Sequence, residues 1–191
     1  MKSTEDRILA AATVVFGRKG IMGATTREIA RRARVNEVTL FRHFKNKNEL
    51  LRRVIQQSCR RFEPVFAEAP IETAADLRST IENFVTVYSR KLSDNEELVR
   101  TFIGEITRYP KLSRSLFVEA GRTVRQKFVA YLAAAQKNGL VRADIDVTTA
   151  ADALTAMLMG GMLRRPLTVG EYEMKTFVKT CVKLYLKGIQ P

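Results

Sequence analysis

At 191 residues with 46% apolar content, the chain is long enough to bury one large core or two small ones, which excludes an intrinsically disordered protein. Its formal charge of +13 and sequence pI near 10.1 point to phosphate-rich partners or an anionic membrane surface. Residues 1–53 hold 13 Lys/Arg against 5 Asp/Glu, a net +8, so the surplus is concentrated at the N-terminal end.

Apolar residues at a helical period open the chain. Ile8, Leu9, Ala12, Val15 and Phe16 share one face of an α-helix, which Gly17 and Gly20 are expected to end. Thr25 supplies an N-cap hydroxyl and Glu28, three residues on, the reciprocal acceptor of a capping box; a second helix starts there with Ile29, Ala30 and Ala33 inward. The pattern breaks at Arg34-Val35, and Asn36 caps a third helix from Glu37 to about Phe44, on which Leu40 and Phe44 face the same side. Asn46 with Glu49 opens a fourth through Leu50, Leu51, Val54 and Ile55.

Beyond Pro64 and Pro70 the segments lengthen. Thr73 with Asp76 starts a helix to about Leu92, Ser93 with Glu96 starts another to about Arg108, and Tyr109-Pro110 interrupts the pattern. A long helix from about Leu112 closes at Asn138-Gly139, Asp146 caps one that reaches about Leu163, and Thr168 with Glu171 opens the last. Alternating β-branched strands and hairpin signals are almost absent, so the expected fold class is all-α with about nine helices. Three of them form an N-terminal helix-turn-helix domain over residues 1–52, and the rest a helical bundle over 53–191.

Cys59 and Cys181 are the only cysteines, with no second pair or neighbouring His to complete a zinc site, so no metal is expected and a reducing cytoplasm is the simplest context. The apolar stretch from Ile8 to Gly17 follows Glu5 and Asp6 rather than a positive segment, which argues against export. No run reaches the roughly 18–20 apolar residues that span a bilayer. Catalysis would need a nucleophile, a base and an orienting group, and the single histidine, His43, falls in the third helix; neither an enzyme nor a cofactor is expected. A basic protein seated on an anionic membrane is the remaining alternative, but lipid does not require two capped helices at a fixed spacing.

Two short capped helices joined by a tight turn suit the DNA major groove, about as wide as a helix with its side chains. The residues that carry this geometry resemble the TetR family of bacterial transcriptional regulators. They are the run Thr25-Thr26-Arg27-Glu28-Ile29-Ala30, then Val35-Asn36-Glu37-Val38-Thr39-Leu40-Phe41-Arg42-His43-Phe44, then Asn46-Lys47-Asn48-Glu49-Leu50-Leu51, within about residues 5–53. The rest resembles the family in helical layout, including the Asn138-Gly139-Leu140-Val141-Arg142 turn. The chain departs from the family pattern at Arg34, where Gly usually holds the corner, at Phe41 in place of Tyr, and at Val38 where Gly is frequent. The resemblance implies a homodimer that binds a palindromic double-stranded DNA operator, usually as a repressor, and releases it when a small-molecule effector enters the C-terminal domain. A regulator without an effector is the alternative.

Thr26 and Arg27, at the start of the second helix, and Lys47, at the start of the fourth, are candidate phosphate donors that set position and salt dependence. Glu37, Val38 and Arg42 are candidates for base edges: a carboxylate accepts from cytosine N4, methyl groups suit thymine, and Arg forks onto guanine. Glu37 equally suits a helix N-terminus and Arg42 a phosphate, and both readings stand. Thr39 resembles the family's phosphate-facing hydroxyl, with a locally bonded helix Thr as the other reading. Phe41 lacks the hydroxyl of the family's Tyr and so one phosphate bond, and His43 is a candidate neutral phosphate donor.

In the C-terminal region Phe62, Phe66, Phe84, Tyr88, Phe102, Phe117, Phe128, Tyr131 and Met157 are candidates to surround the effector, with core packing as the competing role of each. The effector expected there is small and largely apolar. Glu105 and Glu119 would meet a cationic group if buried and solvent otherwise. The expected dimer seam runs along Leu154, Leu158, Gly161 and Met162 on one helix and Phe177, Val178, Cys181 and Tyr185 on the next, with Gly160-Gly161 permitting close approach.

Overall fold

A computed structural model describes residues 3–60, 65–66, 69–108, 110–164 and 173–191, with side chains outside 58–60 and 106–121. Among the described residues the architecture is all-α: nine helices and no strand. They are α1 (Thr4–Gly23), α2 (Thr26–Ala33), α3 (Glu37–His43), α4 (Lys47–Arg60), α5 (Ala74–Asp94), α6 (Glu96–Arg108), α7 (Pro110–Lys137), α8 (Val147–Arg164) and α9 (Met174–Ile189). The chain divides into two compact units, one of residues 1–60 and 95–121, the other of residues 61–94 and 122–191.

In the first unit α1 is nucleated by a capping box. The Asp6 N–H donates to Ser3 Oγ at 3.0 Å and the Ser3 N–H to Asp6 Oδ2 at 3.2 Å. The periodic face read from the sequence is the buried one: Ile8, Leu9, Ala12, Val15 and Phe16 pack with Ile29, Leu40, Phe44, Leu50 and Leu51. Removing each of the larger of these side chains from water contributes about 1.5–3 kcal/mol. Leu98 and Phe102 of α6 complete this core.

Of the two glycines expected to end α1, Gly20 does interrupt it and Gly17 does not. Gly17 lies within the helix, and at Gly20, with φ 74° and ψ 177°, two helical stretches meet across a kink. The reason lies in α6, which runs so close that a Cβ on Gly17 would stand 3.2 Å from the Leu98 backbone nitrogen. The two glycines make room for a neighbouring helix.

In the second unit α5, α8 and α9 bury Leu77, Ile81, Phe84, Leu154, Leu158, Cys181 and Leu186, and α7 adds Phe128 and Leu132. Thr73 and Asp76 form the expected box at the head of α5, with the Asp76 N–H 3.1 Å from Thr73 Oγ1 and the Thr73 N–H 2.8 Å from Asp76 Oδ2. Those bonds hold the exposed Asp76 carboxyl below its usual range. Ser93 does not open a helix; it falls in the last turn of α5, and α6 starts three residues later at Glu96. Pro110 begins α7, as its fixed φ and missing N–H allow. Gly139 ends α7 in the left-handed region at φ 72°, and Asp146 caps α8 by accepting from the Thr149 N–H at 2.7 Å. Thr168 and Glu171 lie outside the described residues; α9 follows Glu173, which makes no side-chain cap bond.

Candidate nucleic-acid interface

Thr25 accepts from the Glu28 N–H at 3.2 Å and so caps α2. Only this half of the expected box is present, since the Glu28 carboxylate pairs with Lys19 Nζ at 2.7 Å. Helix α2 ends on Arg34, at φ 56° and ψ 48°, the one left-handed non-glycine residue among those described. The strain is held by bonds around it. The Arg34 N–H donates to the Arg31 carbonyl at 3.1 Å and the Val35 N–H to the Ala30 carbonyl at 3.0 Å. Arg7 reaches over from α1 and donates through one nitrogen to the Ala33 and Arg34 carbonyls at 2.7 and 2.8 Å. A cation at the negative end of α2 fixes the corner that aims the next helix.

Asn36 then accepts from the Val38 N–H at 2.9 Å and starts α3. Leu40 is fully buried and Phe44 nearly so, which pins one side of this short helix in the core. The opposite side is thereby turned to solvent. Val38 is 67% and Phe41 46% exposed, the two large apolar side chains of α2–α4 left outside. Arg42, His43 and Arg27 are exposed beside them, while Thr26, Glu37, Thr39 and Lys47 are half-buried. None of the nine residues singled out from the sequence is in the core.

Three of them are engaged within the fold. Thr26 Oγ1 donates to Glu37 Oε1 at 2.5 Å, tying the first turn of α2 to the first turn of α3. The hydroxyl assigned to phosphate therefore already has an acceptor. Lys47 Nζ donates to the Ala24 carbonyl at 3.1 Å and the Met22 carbonyl at 3.4 Å, which leaves its third proton to point outward. Arg27, Arg31, Arg32, Arg42 and Lys45 are exposed and make no ion pair among the described residues. A helix with an apolar outer pair, ringed by unneutralised cations, is built to meet a polyanion that also carries apolar groups.

Sequence reasoning missed Arg7 and Thr101, and it missed the partner of Glu105; the last two, both on α6, hold α1 at its break. The Ile21 N–H donates to the Glu105 carboxylate, and Thr101 Oγ1 donates to the Gly17 carbonyl. Glu105, expected to face an effector or solvent, is half-buried and bonded to this backbone. The spacing of Gly17 and Gly20 was the available signal, since glycines three apart on one helix face also mark a close crossing.

The C-terminal aromatic candidates separate. Phe66, Phe84, Tyr88, Phe128 and Tyr131 form one cluster, with ring centroids 4.7 Å apart for Phe84 and Phe128, 5.1 Å for Phe66 with each of these, 5.6 Å for Phe66 and Tyr131, and 5.5 Å for Phe84 and Tyr88. Phe102 packs in the core of the other unit. Met157 is half-buried on α8. Phe62 and the side chains of Phe117, Glu119 and Cys59 lie outside the described residues. Tyr131 donates to the Pro70 carbonyl at 3.2 Å, and burial pushes its phenol up. Tyr185 and Ser89 bury hydroxyl oxygens without a hydrogen-bond partner among the described residues, and burial drives the Tyr185 phenol far above its ordinary value.

Most of the seam residues are already packed within one chain, and two keep exposed surface. Leu154, Leu158, Gly161, Met162, Cys181 and Tyr185 are buried, and Phe177 and Val178 half-buried. A Cβ on Gly161 would stand 2.1 Å from the Phe177 ring, so this glycine permits α8 to touch α9 of the same chain. Among the described residues no helix is long and apolar enough to cross a membrane, and no cluster of His, Cys, Asp or Glu could hold a metal.

Comparison with known proteins places this geometry. Residues 8–54 match the family model of bacterial regulatory proteins of the tetR family, and residues 74–188 match the AefR-like transcriptional repressor C-terminal domain. The HTH-type transcriptional regulator YvkB of Bacillus subtilis is 29% identical over 139 residues, covering 68% of this chain and 71% of that protein. The HTH-type transcriptional repressor KstR2 of Rhodococcus jostii is 26% identical over 148 residues, covering 75% and 70%. In fold, the fatty acid degradation regulator FadR of Bacillus halodurans superposes with a TM-score of 0.81 at 20% identity, over 98% of this chain and 97% of that one.

Proposed function

Because the chain belongs to the TetR family of transcriptional regulators, DNA-binding proteins rather than enzymes, we propose that it acts as a homodimeric repressor of a palindromic operator and that a small apolar effector releases it. The observation that carries the reading is α3: Leu40 and Phe44 anchor its inner side, and Val38, Phe41, Arg42 and His43 stand outside among unpaired cations. In this reading Arg27, Thr39, His43 and Lys47 meet phosphates and set register. Arg42 forks onto a guanine edge, the free Glu37 oxygen accepts from cytosine N4, and Val38 with Phe41 packs on thymine methyl groups. Replacing Tyr by Phe gives up a phosphate bond and leaves a surface suited to a methyl.

Two recognition helices reach successive major grooves when a dimer sets them about 34–36 Å apart. With the inner stripes of α8 and α9 already packed, the dimer face in this reading is their outer side, with Ala153, Ala156, Thr180 and the 62%-exposed Leu184. The effector is assigned to the aromatic cluster around Phe66, Phe84 and Phe128, where an apolar compound should raise the melting temperature by binding the folded state.

The test is selection of bound sequences from random duplexes at several salt concentrations. Two inverted half-sites about one helical turn apart are expected, with affinity falling as salt rises. Recovery of no enriched motif at any salt would contradict the reading. In the selected operator, deoxyuridine in place of thymine removes only the C5 methyl; a loss of about five- to tenfold at the positions read by Val38 and Phe41 is expected, within the range of a single base contact.

A further inference from the structure

The two backbone groups that an unbroken α1 would join to each other are both taken up by a single turn of α6. In a continuous helix the Ile21 N–H donates to the Gly17 carbonyl, four residues back. At Gly20 the backbone stands at φ 74° and ψ 177°, which turns the Gly20–Ile21 peptide over and aims that N–H out of the helix. It donates to the two Glu105 carboxylate oxygens, at 3.0 and 2.8 Å. The vacated Gly17 carbonyl accepts from Thr101 Oγ1 at 2.5 Å. Thr101 and Glu105 are four residues apart and so stack on one face of α6, one opposite the orphaned acceptor and the other opposite the orphaned donor.

The exchange is enforced by burial and by glycine. Gly17, Gly20 and Ile21 are buried, so neither orphan can turn to water instead. A Cβ on Gly20 would fall 2.4 Å from Glu105 Oε1, and its positive φ disfavours any L side chain. The short segment beyond the break is in turn tied to the DNA-facing elements. The Met22 and Ala24 carbonyls hold Lys47 Nζ at the head of α4, and Thr25, the next residue, caps α2.

We propose that Thr101 and Glu105 are positioning residues for operator binding: they hold α1 bent, and withdrawing that one turn of α6 lets the Gly17–Ile21 hydrogen bond close, straightening α1 and displacing residues 22–25. Both forms satisfy the same two backbone groups, one through side chains and the other through the helix itself. Which of them is populated then depends on whether that turn of α6 stands within reach. The functional half of this proposal rests on the operator-binding reading above; the conformational half does not.

The test uses isotope-labelled full-length protein and the duplex selected from random sequence. The through-hydrogen-bond coupling between the Ile21 nitrogen and the Gly17 carbonyl carbon is absent in the bent form and present in the straight one. In wild type none is expected. The double substitution Thr101→Val with Glu105→Leu should make it appear and weaken operator affinity at least tenfold, while Glu105→Gln, which keeps an acceptor for the Ile21 N–H, should retain the bent form and most of the affinity. Gly20→Ala disfavours the bend from the α1 side and should reproduce the double variant; it decides alone if the double variant does not fold. Absence of the coupling in the straightening variants, or its appearance with operator affinity unchanged, would overturn the proposal. Failure of wild type to bind any duplex would overturn the operator reading and the positioning role with it, leaving the coupling to decide the bend alone.

Discussion

In the first unit, Leu40 on α3 and Phe44 just after it are buried, while Val38 and Phe41 of α3 stand in solvent. On α8 and α9 of the second, Leu154, Leu158, Cys181 and Tyr185 are buried and Leu184 is the large apolar side chain left most exposed. The contrast separates two kinds of apolar residue that look alike in a sequence. A helical stripe says that a face is covered without saying by what, and in α8 and α9 the cover is the neighbouring helix of the same chain. An apolar residue outside that stripe, on a helix whose stripe is already anchored, has no cover from its own chain. Val38 and Phe41 are of this second kind.

The sharpest way to break the comparison is to truncate both sides of α3. Leu40→Ala should cost about 2–5 kcal/mol of stability, whereas Val38→Ala should change it by less than about 0.5 kcal/mol and act on DNA binding instead. Denaturant unfolding followed by duplex titration reads the two effects separately. If Val38→Ala unfolds the protein as Leu40→Ala does, the outer side of α3 is core. In the second unit, Gly161→Ala drives a methyl into the Phe177 ring, 2.1 Å away, and should destabilise by about 1–3 kcal/mol. A neutral result in thermal unfolding would show that Phe177 yields freely and that the α8–α9 contact is loose.

Much of the first unit was legible because its signals are local. Asn36 and Thr25 cap the helices they were assigned, and the spacing of Leu40 and Phe44 gave the buried side and hence the outer one. What was not legible depends on residues far away in sequence. Gly20 interrupts the helix as its type suggests, but Gly17 does not, because it makes room for α6, about 80 residues on, which cannot be placed from a one-dimensional pattern. The bond from Thr26 to Glu37 was not legible either, because this acceptor belongs to the next helix. The same limit put Phe102 among the effector candidates: aromatic residues announce burial but not which core they join. Arg34 is the opposite case: the sequence already shows it as a departure from the family's corner Gly, and it stands in the left-handed region that glycine favours.

That residue provides a smaller test. Arg34→Gly relieves the strain at φ 56° and should raise stability by about 1 kcal/mol, since the corner bonds use backbone atoms that remain. A fall in melting temperature would mean that the Arg34 side chain contributes more than its backbone loses. The smallest effect belongs to the exposed Arg125–Asp152 fork of the second unit, at 2.6 and 2.7 Å. Hydrogen bonding from Arg125 holds the Asp152 carboxyl below its ordinary value of 3.8. Its stabilisation is therefore full above that value and lost as pH falls through the lower folded one. Asp152→Asn should lower the melting temperature at neutral pH by no more than about 1–2 °C, because the pair is solvent-screened, and the difference should close in acid. A gap that persisted at the lowest pH would assign the effect to packing.

The central claim is that the side of α3 opposite Leu40 reads the operator. Its most direct test is titration of the triple substitution Val38→Ala, Phe41→Ala, Arg42→Ala against the selected operator and a random duplex, with the melting temperature measured in parallel. The claim predicts that preference for the operator collapses toward random-duplex affinity, by at least about a hundredfold for three base contacts, while random binding and melting temperature change little. Retained preference for the operator in the folded triple variant would contradict it.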